Sequence, residues 1–251
     1  MAQSTTARPQ PSAAHPGRPA LARRPRPSNA TAKLVMAVTG VVFGLYVLVH
    51  MIGNLKIYQG EEHFDDYAHW LRVAFEPVLP YEGLLWLLRA FLLVCLVAHV
   101  YCSAVLVLRA RRARGRFRRR RLGVEAFVAR TMPVTGVVLL LFVVFHVLDL
   151  TLGVRPVGPE GFRAATTTSS SAYDNLVASF SRPPVAAVYV LAMLALALHL
   201  IHGIVSVVVD LGMARGPRFR RLTGLVALVL GLLVALGNIT IPVAVLTGAL
   251  S

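Results

Sequence analysis

Five long runs of apolar residues divide this chain of 251 residues and constrain its fold more than any other feature. Each run has about 20 residues or more, the length that an α-helix needs to cross the roughly 30 Å hydrocarbon core of a bilayer. Arg89 is the one charged residue well inside a run, and Asp149 lies at the end of the third. The runs are 34–52, 84–108, 132–150, 185–209 and 222–250. With 56% hydrophobic residues, the chain is predicted to be an all-α membrane protein, a bundle of five transmembrane helices.

The basic residues predict how these helices are oriented. Lysine and arginine are concentrated before the first run, in the loop Arg109 to Arg121 after the second and in the loop Arg215 to Arg221 after the fourth. The other two loops carry acidic or hydroxyl side chains and few basic ones. Since basic loops stay in the cytoplasm, we expect a cytoplasmic N-terminus and an external C-terminus in a multi-pass protein of the cell inner (plasma) membrane.

The same basic residues bear on partners and domains. Beside apolar runs, the net charge of +15 indicates membrane topology and contact with lipid headgroups rather than nucleic acid. Residues 1–32 are rich in Pro, Ala, Ser and Arg and contain no apolar run. They are therefore predicted to be a disordered basic tail, not a secretory signal. Residues 33–251 form the transmembrane domain.

One short sequence occurs twice and leads each time to a histidine. Val-Thr-Gly-Val-Val at 38–42 precedes His50, and the same five residues at 134–138 precede His146 at the same interval. At about 1.5 Å per residue, His50 lies roughly 24 Å and His146 roughly 21 Å from the cytoplasmic ends of their runs. Both are expected in the outer half of the membrane, where a histidine is costly unless something binds it. These two residues are called the first pair.

Two further histidines lie at another depth. His99 and His199, called the second pair, lie roughly 14 Å from the cytoplasmic ends of the second and fourth runs, which cross the membrane in the opposite direction. They define an inner level. His202 follows His199 on the same helix and is an alternative to it. Each pair thus joins two helices that run in the same direction.

Two imidazoles at one depth and two at another are typical of bis-histidine haem. The macrocycle is flat and largely apolar, so it fits between the helices of a bundle. One neutral imidazole on each side then completes the coordination of the iron. We therefore predict that His50 with His146, and His99 with His199, are the metal ligands of one or two b-type haems (haem b).

Other interpretations of these residues remain open. Cys95, His99 and Cys102 lie on one face of the second helix, and two cysteines with two histidines can hold a Rieske-type [2Fe-2S] cluster. His199 or His202 would complete that inner site. The alternative of another class is a non-redox transporter or scaffold. The runs lack midspan helix breaks and, apart from Glu82 and Asp149 at span ends, the carboxylates that transporters or proton relays use.

Six segments of the chain share the pattern of one known family. They are Lys33–Gly40, His50–Lys56, Tyr67–Arg72, Pro80–Trp86, Thr131–Met132 and His199–Gly203. Together they resemble the membrane-anchor cytochrome b subunit of succinate dehydrogenase/fumarate reductase, in its single-chain, five-helix form. The resemblance covers nearly all of residues 33–248. It implies a subunit of respiratory complex II that docks a flavoprotein and an iron–sulfur subunit on its cytoplasmic face. It also implies electron transfer to or from a membrane quinone, menaquinone or ubiquinone.

The resemblance also carries ligand positions. In the diheme members of the family, the pattern matches His50 and His146 for the outer haem, and His99 and His199 for the inner one. The pattern has a glycine four residues after the ligand, as Gly203 follows His199, and this favours His199 over His202. The face with Cys95 and Cys102 instead resembles an actinobacterial branch of the family, in which a membrane-embedded cluster replaces the haem of the inner site.

Three charged residues are expected beside these sites. Arg89 is a candidate for holding haem propionates, or else pairs with Glu82, which precedes it by two helical turns. Lys56 is a second candidate for the propionates, and Glu82 is a candidate proton carrier for quinone chemistry. No nucleotide-binding motif occurs in the sequence. The dicarboxylate-oxidising site of the enzyme is therefore expected on the partner subunits, which supply this chain with electrons.

Overall fold

The computed structural model describes residues 27–114, 124–214 and 216–251. Residues 1–26, which make up most of the predicted basic tail, lie outside that range, as do Arg215 and most of the basic loop before the third run. The helices of the described residues are α1 Asn29–Asn54, α2 Glu61–Val73, α3 Gly83–Arg114, α4 Val124–His146, α5 Ala172–Phe180, α6 Pro183–Asp210 and α7 Pro217–Leu246. A 3₁₀ turn, Leu55–Gln59, continues α1, and a π-helical turn, Val147–Thr151, continues α4.

Five helical segments in the described part of the chain are long and apolar enough to cross a membrane. They are Asn29–Gln59, Gly83–Ala113, Arg130–Thr151, Pro183–Asp210 and Pro217–Leu246. Each overlaps one of the five predicted runs, and no strand occurs among the described residues. The predicted all-α class and the number of transmembrane helices are therefore confirmed.

Local sequence sets where several of these helices begin. The Ser28 side chain accepts a hydrogen bond from the backbone N–H of Thr31 at 3.0 Å and so caps α1. Helices α6 and α7 each start with a proline, Pro183 and Pro217, whose fixed φ suits the first helical turn and whose missing N–H is not needed there. Gly216, directly before α7, has a φ of 106°, which favours glycine.

The transmembrane helices pack as two pairs and a fifth helix. Helix α1 contacts α3, α4 contacts α6, and α7 packs along α6, while α1 also contacts α6 and α7. Small residues allow the close approaches. A Cβ atom on Gly231 of α7 would lie 2.5 Å from Ile201, and one on Gly237 would lie 2.7 Å from the sulfur of Met51. Because the two pairs meet through α1 and α6, the two halves of the chain form one bundle.

The two ends of the bundle differ in chemistry. At the end called the loop end, α2 and α5 cover the helices, and Asp65 accepts a hydrogen bond of 2.9 Å from the N–H of Tyr173. Burial raises the pKa of the Asp65 carboxyl. At the other end, called the basic end, Lys33 pairs with Asp210 at 2.7 Å, and Arg109 donates to Asn29 at 2.7 Å. The cytoplasmic location of the basic end remains a prediction.

Candidate functional site

The first pair comes together near the loop end. The ring centroids of His50 on α1 and His146 on α4 are 5.9 Å apart, and the ring planes are 84° apart. Two imidazoles bound through ring nitrogens to one metal ion, at about 2 Å per bond, have ring centres roughly 6 Å apart. The observed centroid separation is close to that distance. His50 also stacks on Tyr46, with centroids 5.4 Å apart.

A hydrogen-bonded tyrosine orients His146. The Nδ1 atom of His146 lies 3.3 Å from the hydroxyl oxygen of Tyr189, and that hydroxyl donates its proton to Asp149 at 2.9 Å. Since a hydroxyl has one proton, the Tyr189 oxygen must accept from the Nδ1–H of His146. This leaves the lone pair of Nε2 free to bind a metal, and a second hydrogen-bonded ring nitrogen is the usual support of a metal-binding histidine.

Asp149 is the centre of this support and is completely buried, with 0% exposure. It lies in the π-helical turn after α4. Besides Tyr189, its carboxylate accepts from the hydroxyl of Ser179 at 2.6 Å and from the guanidinium of Arg182 at 2.7 Å. A buried carboxylate is tolerated when it is paired and hydrogen-bonded in this way.

The second pair has a different environment. Nδ1 of His99, on α3, lies 2.9 Å from the hydroxyl oxygen of Thr39 on α1. Nδ1 of His199, on α6, lies 3.1 Å from the hydroxyl oxygen of Thr135 on α4. Both threonines are buried, with exposures of 6% and 7%. They occupy the same position in the two copies of Val-Thr-Gly-Val-Val, so the repeated sequence contacts the second pair as well as preceding the first.

Glycines leave room beside the second pair. A Cβ atom on Gly40 would lie 3.8 Å from Cε1 of His99, and one on Gly136 would lie 3.5 Å from Cε1 of His199, both ordinary contact distances. A Cβ atom on Gly203, one turn after His199, would meet no atom within 4 Å. The neutral imidazoles and the space beside them are the features that a flat, largely apolar macrocycle needs.

The alternative inner ligand set is not assembled in the same way. Cys95 and Cys102 are buried free thiols. The described residues contain no group of three or more His, Cys, Asp or Glu side chains placed to hold one metal ion. The structure therefore does not bring Cys95, Cys102, His99 and His202 to a common point. Within the described part of the chain, no side-chain hydrogen bond reaches His202, whereas His199 is held by Thr135.

The charged candidates lie at the loop end. Glu82 forms ion pairs with Arg89 at 3.2 Å and with Arg72 at 3.3 Å, so the expected pairing of Arg89 with Glu82 is present and Arg72 joins it. Glu82 has a φ of 58°, which is uncommon for a residue other than glycine. Lys56 lies over the ring of Tyr67, 5.2 Å from its centroid.

Sequence reasoning missed the residues that are hydrogen-bonded to the histidines and the partners of those residues. It used the repeats only as markers of the first pair, and it treated Asp149 only as a carboxylate at the end of a run. Two signals were available in the sequence. Thr39 and Thr135 have the same place in the two copies of the repeat, and Asp149 follows the candidate ligand His146 by three residues. Nothing in the sequence pattern identified Ser179, Arg182 or Tyr189 as the partners of that carboxylate.

Comparison with protein families identifies a match. Residues 108–239, just over half of the chain, match the family model described as succinate dehydrogenase/fumarate reductase transmembrane subunit. The matched part includes Thr135, His146 and His199, whereas His50 and His99 precede it. No curated relative matches the sequence.

Proposed function

The chain belongs to the succinate dehydrogenase/fumarate reductase transmembrane subunits, and from this premise we propose that it is the electron-transferring anchor of such an enzyme. Membership makes it a multi-pass membrane subunit of succinate dehydrogenase/fumarate reductase. That other subunits carry the dicarboxylate chemistry is part of the proposal. The proposal adds that it binds b-type haem at two levels. Electrons then pass between the flavoprotein and iron–sulfur partners and a membrane quinone.

The arrangement of the four histidines is the observation that carries the proposal. His50 and His146 have the ring separation that fits one metal ion between them. His99, His146 and His199 each have Nδ1 beside a hydroxyl oxygen, which directs Nε2 toward a ligand. Neutral nitrogen donors on facing helices of a bundle are a suitable set for bis-histidine haem.

The two histidine pairs have different roles in this proposal. When bound, haem supplies a one-electron redox couple at each pair. The residues of the chain hold the imidazoles at two depths and exclude water by apolar packing. Hydroxyl groups fix the orientation of His99, His146 and His199. The second pair lies nearer the basic end, where we place the partner subunits. The first pair lies nearer the loop end, where Glu82, held by Arg72 and Arg89, is the proposed proton carrier for the quinone.

An optical and metal analysis of the purified complex tests the proposal. The reduced complex should show a b-type haem band, and His99→Ala should remove part of that band because the second pair loses one ligand. His202→Ala is the matched control, because it removes a neighbouring imidazole from the same helix and should leave the band unchanged. An iron–sulfur paramagnetic resonance signal beyond the clusters of the iron–sulfur subunit, lost in Cys95→Ser and found without haem absorbance, would support the [2Fe-2S] alternative. A chain that purifies without the partner subunits and is itself colourless and iron-free would support a transporter or scaffold.

A further inference from the structure

Thr39 and Thr135 contact the two histidines of the second pair in the same way. We propose that these threonines are positioning residues, which fix the tautomer and the ring orientation of His99 and His199. The inference rests on the proposed haem ligation by these histidines and adds two residues to the site. It is argued from hydroxyl geometry, burial and the duplication of the contact.

The proton of each threonine hydroxyl is already used. The Thr39 hydroxyl donates to the backbone carbonyl of Val35 at 2.7 Å, and the Thr135 hydroxyl donates to that of Met132 at 3.1 Å. A hydroxyl has one proton and two acceptor lone pairs, so toward the imidazole each oxygen can only accept. Nδ1 of the facing histidine must therefore carry the hydrogen.

This assignment determines which ring nitrogen can bind iron. In a neutral imidazole, one nitrogen carries hydrogen and the other has a free lone pair. With Nδ1–H donating to threonine, Nε2 of His99 and of His199 is the free donor. Without the hydroxyl oxygen, Nδ1–H in the apolar interior of a membrane protein would lose its acceptor, and nothing would hold the ring in that orientation.

The duplication supports a role in positioning rather than an accidental contact. Each threonine lies on the helix that packs against the helix of its histidine, α1 against α3 and α4 against α6. Both threonines are buried. In both copies the next residue is a glycine whose missing Cβ faces Cε1 of the same imidazole. Two copies of one sequence therefore make the same contact at both sides of the second pair.

Substitution by valine tests the proposal, since valine has nearly the shape of threonine but no hydroxyl. In the purified complex, Thr39→Val or Thr135→Val should weaken haem binding at the second pair by about tenfold or more. Where haem is retained, a weaker imidazole donor stabilises ferric iron less, so the midpoint potential of that site should rise. A tenfold change in the ratio of reduced to oxidised iron corresponds to about 59 mV for one electron.

Thr240→Val is the matched control. Thr240 lies on α7, and its hydroxyl donates to the carbonyl of Gly237 at 2.8 Å, the same kind of bond to its own helix. Among the described residues, its side chain makes no hydrogen bond to a histidine. Haem content and both midpoint potentials should stay at the wild-type values. Equal values for Thr39→Val, Thr135→Val and Thr240→Val would overturn the proposal.

Serine separates positioning from packing. Thr39→Ser and Thr135→Ser keep the hydroxyl and remove a methyl group, so they should keep the wild-type potential and haem content. If the threonines act only by filling space, valine should behave like the wild type and serine should be the damaging substitution. That order of effects would contradict the inference.

A measurement on the unsubstituted full chain decides the point even if the valine variants do not fold. Nitrogen-15 magnetic resonance of labelled histidines, in lipid, should show Nδ1 protonated at His99 and His199. Protonated Nε2 at either residue overturns the inference for that residue. A wild-type complex without haem would overturn the proposed function instead, and the tautomers would still be measured.

Discussion

Both rings of the second pair are hydrogen-bonded to a threonine, whereas the two rings of the first pair are held unequally. In the first pair, His146 is hydrogen-bonded through Tyr189 to a buried ion pair. His50 stacks on Tyr46 and makes no hydrogen bond with another described side chain. In the second pair, each histidine is thus hydrogen-bonded to a neutral threonine from the repeated sequence. In the first pair, only His146 is linked to a hydrogen-bond network, and that network contains an ion pair.

This difference follows from which parts of the chain are repeated. The supports of the second pair come from the two copies of Val-Thr-Gly-Val-Val, one in α1 and one in α4. The support of His146 comes from side chains outside the repeated sequence, namely Asp149 in the π-helical turn, Ser179 at the end of α5 and Arg182 directly before α6. Three residues after His50, at the place of Asp149, the chain has Gly53. The two histidines of the second pair therefore have equivalent contacts because the sequence that supplies them is repeated. The two histidines of the first pair differ because the Asp149 network at the loop end reaches only His146.

Asp149→Ala should have the largest effect and tests whether the buried ion pair acts on the first pair only. It leaves Arg182, Ser179 and Tyr189 without their shared acceptor, and breaking a buried ion pair on one side costs about 3 kcal/mol or more. The free energy of unfolding of the purified chain in detergent should fall by that amount. In a redox titration, the component from the first pair should change while the component from the second pair stays constant.

Asp174→Ala is the matched control for this substitution. Asp174 also forms an ion pair, with Arg163, but the side chains are 41% and 65% exposed. Removing an exposed pair changes stability by about 1 kcal/mol or less. Equal losses of stability for the two variants, or equal effects of Asp149→Ala on both redox components, would show that the ionic support is not specific to the first pair.

Tyr189→Phe is a smaller change that tests the hydroxyl link between His146 and Asp149 alone. The aromatic ring, which packs on Phe142 and Phe180, is kept, and only the hydroxyl between His146 and Asp149 is lost. Leaving these buried partners unsatisfied costs about 1–3 kcal/mol. We expect that loss in chemical unfolding, together with a spectral change confined to the first pair.

Tyr173→Phe serves as its control. Tyr173 is also buried in the loop end, but the one hydrogen bond of its hydroxyl within the described part of the chain is long, 3.4 Å, to the carbonyl of Ser251. Because this bond is long, its removal should change the unfolding free energy by about 0.5 kcal/mol, the lower end for a lost hydrogen bond. If Tyr189→Phe were as mild, the hydrogen bond to His146 would contribute nothing measurable.

Tyr46→Leu should have the smallest effect. Tyr46 is 40% exposed, and the stack on His50 is an aromatic contact worth about 0.5–1.5 kcal/mol. Leucine keeps an apolar side chain, so the loss should lie at the lower end of that range in thermal unfolding. Tyr101→Leu, at an exposed tyrosine of α3, is the control. A loss above about 2 kcal/mol, beyond the range of such contacts, would mean that His50 depends on Tyr46 as strongly as His146 depends on Tyr189.

Part of the site could be predicted because depth follows from chain position. The rise per residue of a helix is constant, so counting from the ends of the runs placed His50 beside His146, and the structure brings these rings together. The pairing of Arg89 with Glu82 followed from helical spacing in the same way. The contacts of Thr39, Thr135 and Asp149 did not follow, since they join helices that are distant in the sequence.

The sequence by itself determined the five transmembrane helices and their all-α class, and it predicted the levels of the histidines. Each of these depends on length and polarity along a single helix, which the sequence contains. Only the tertiary structure decided which side chains are in contact with each imidazole. A membrane helix is apolar on every face, so its hydrophobic pattern does not specify which face turns toward a neighbour. That rotation is set by close packing, as between α6 and α7 at Gly231. It is this rotation that places Thr39 against His99 and Tyr189 against His146.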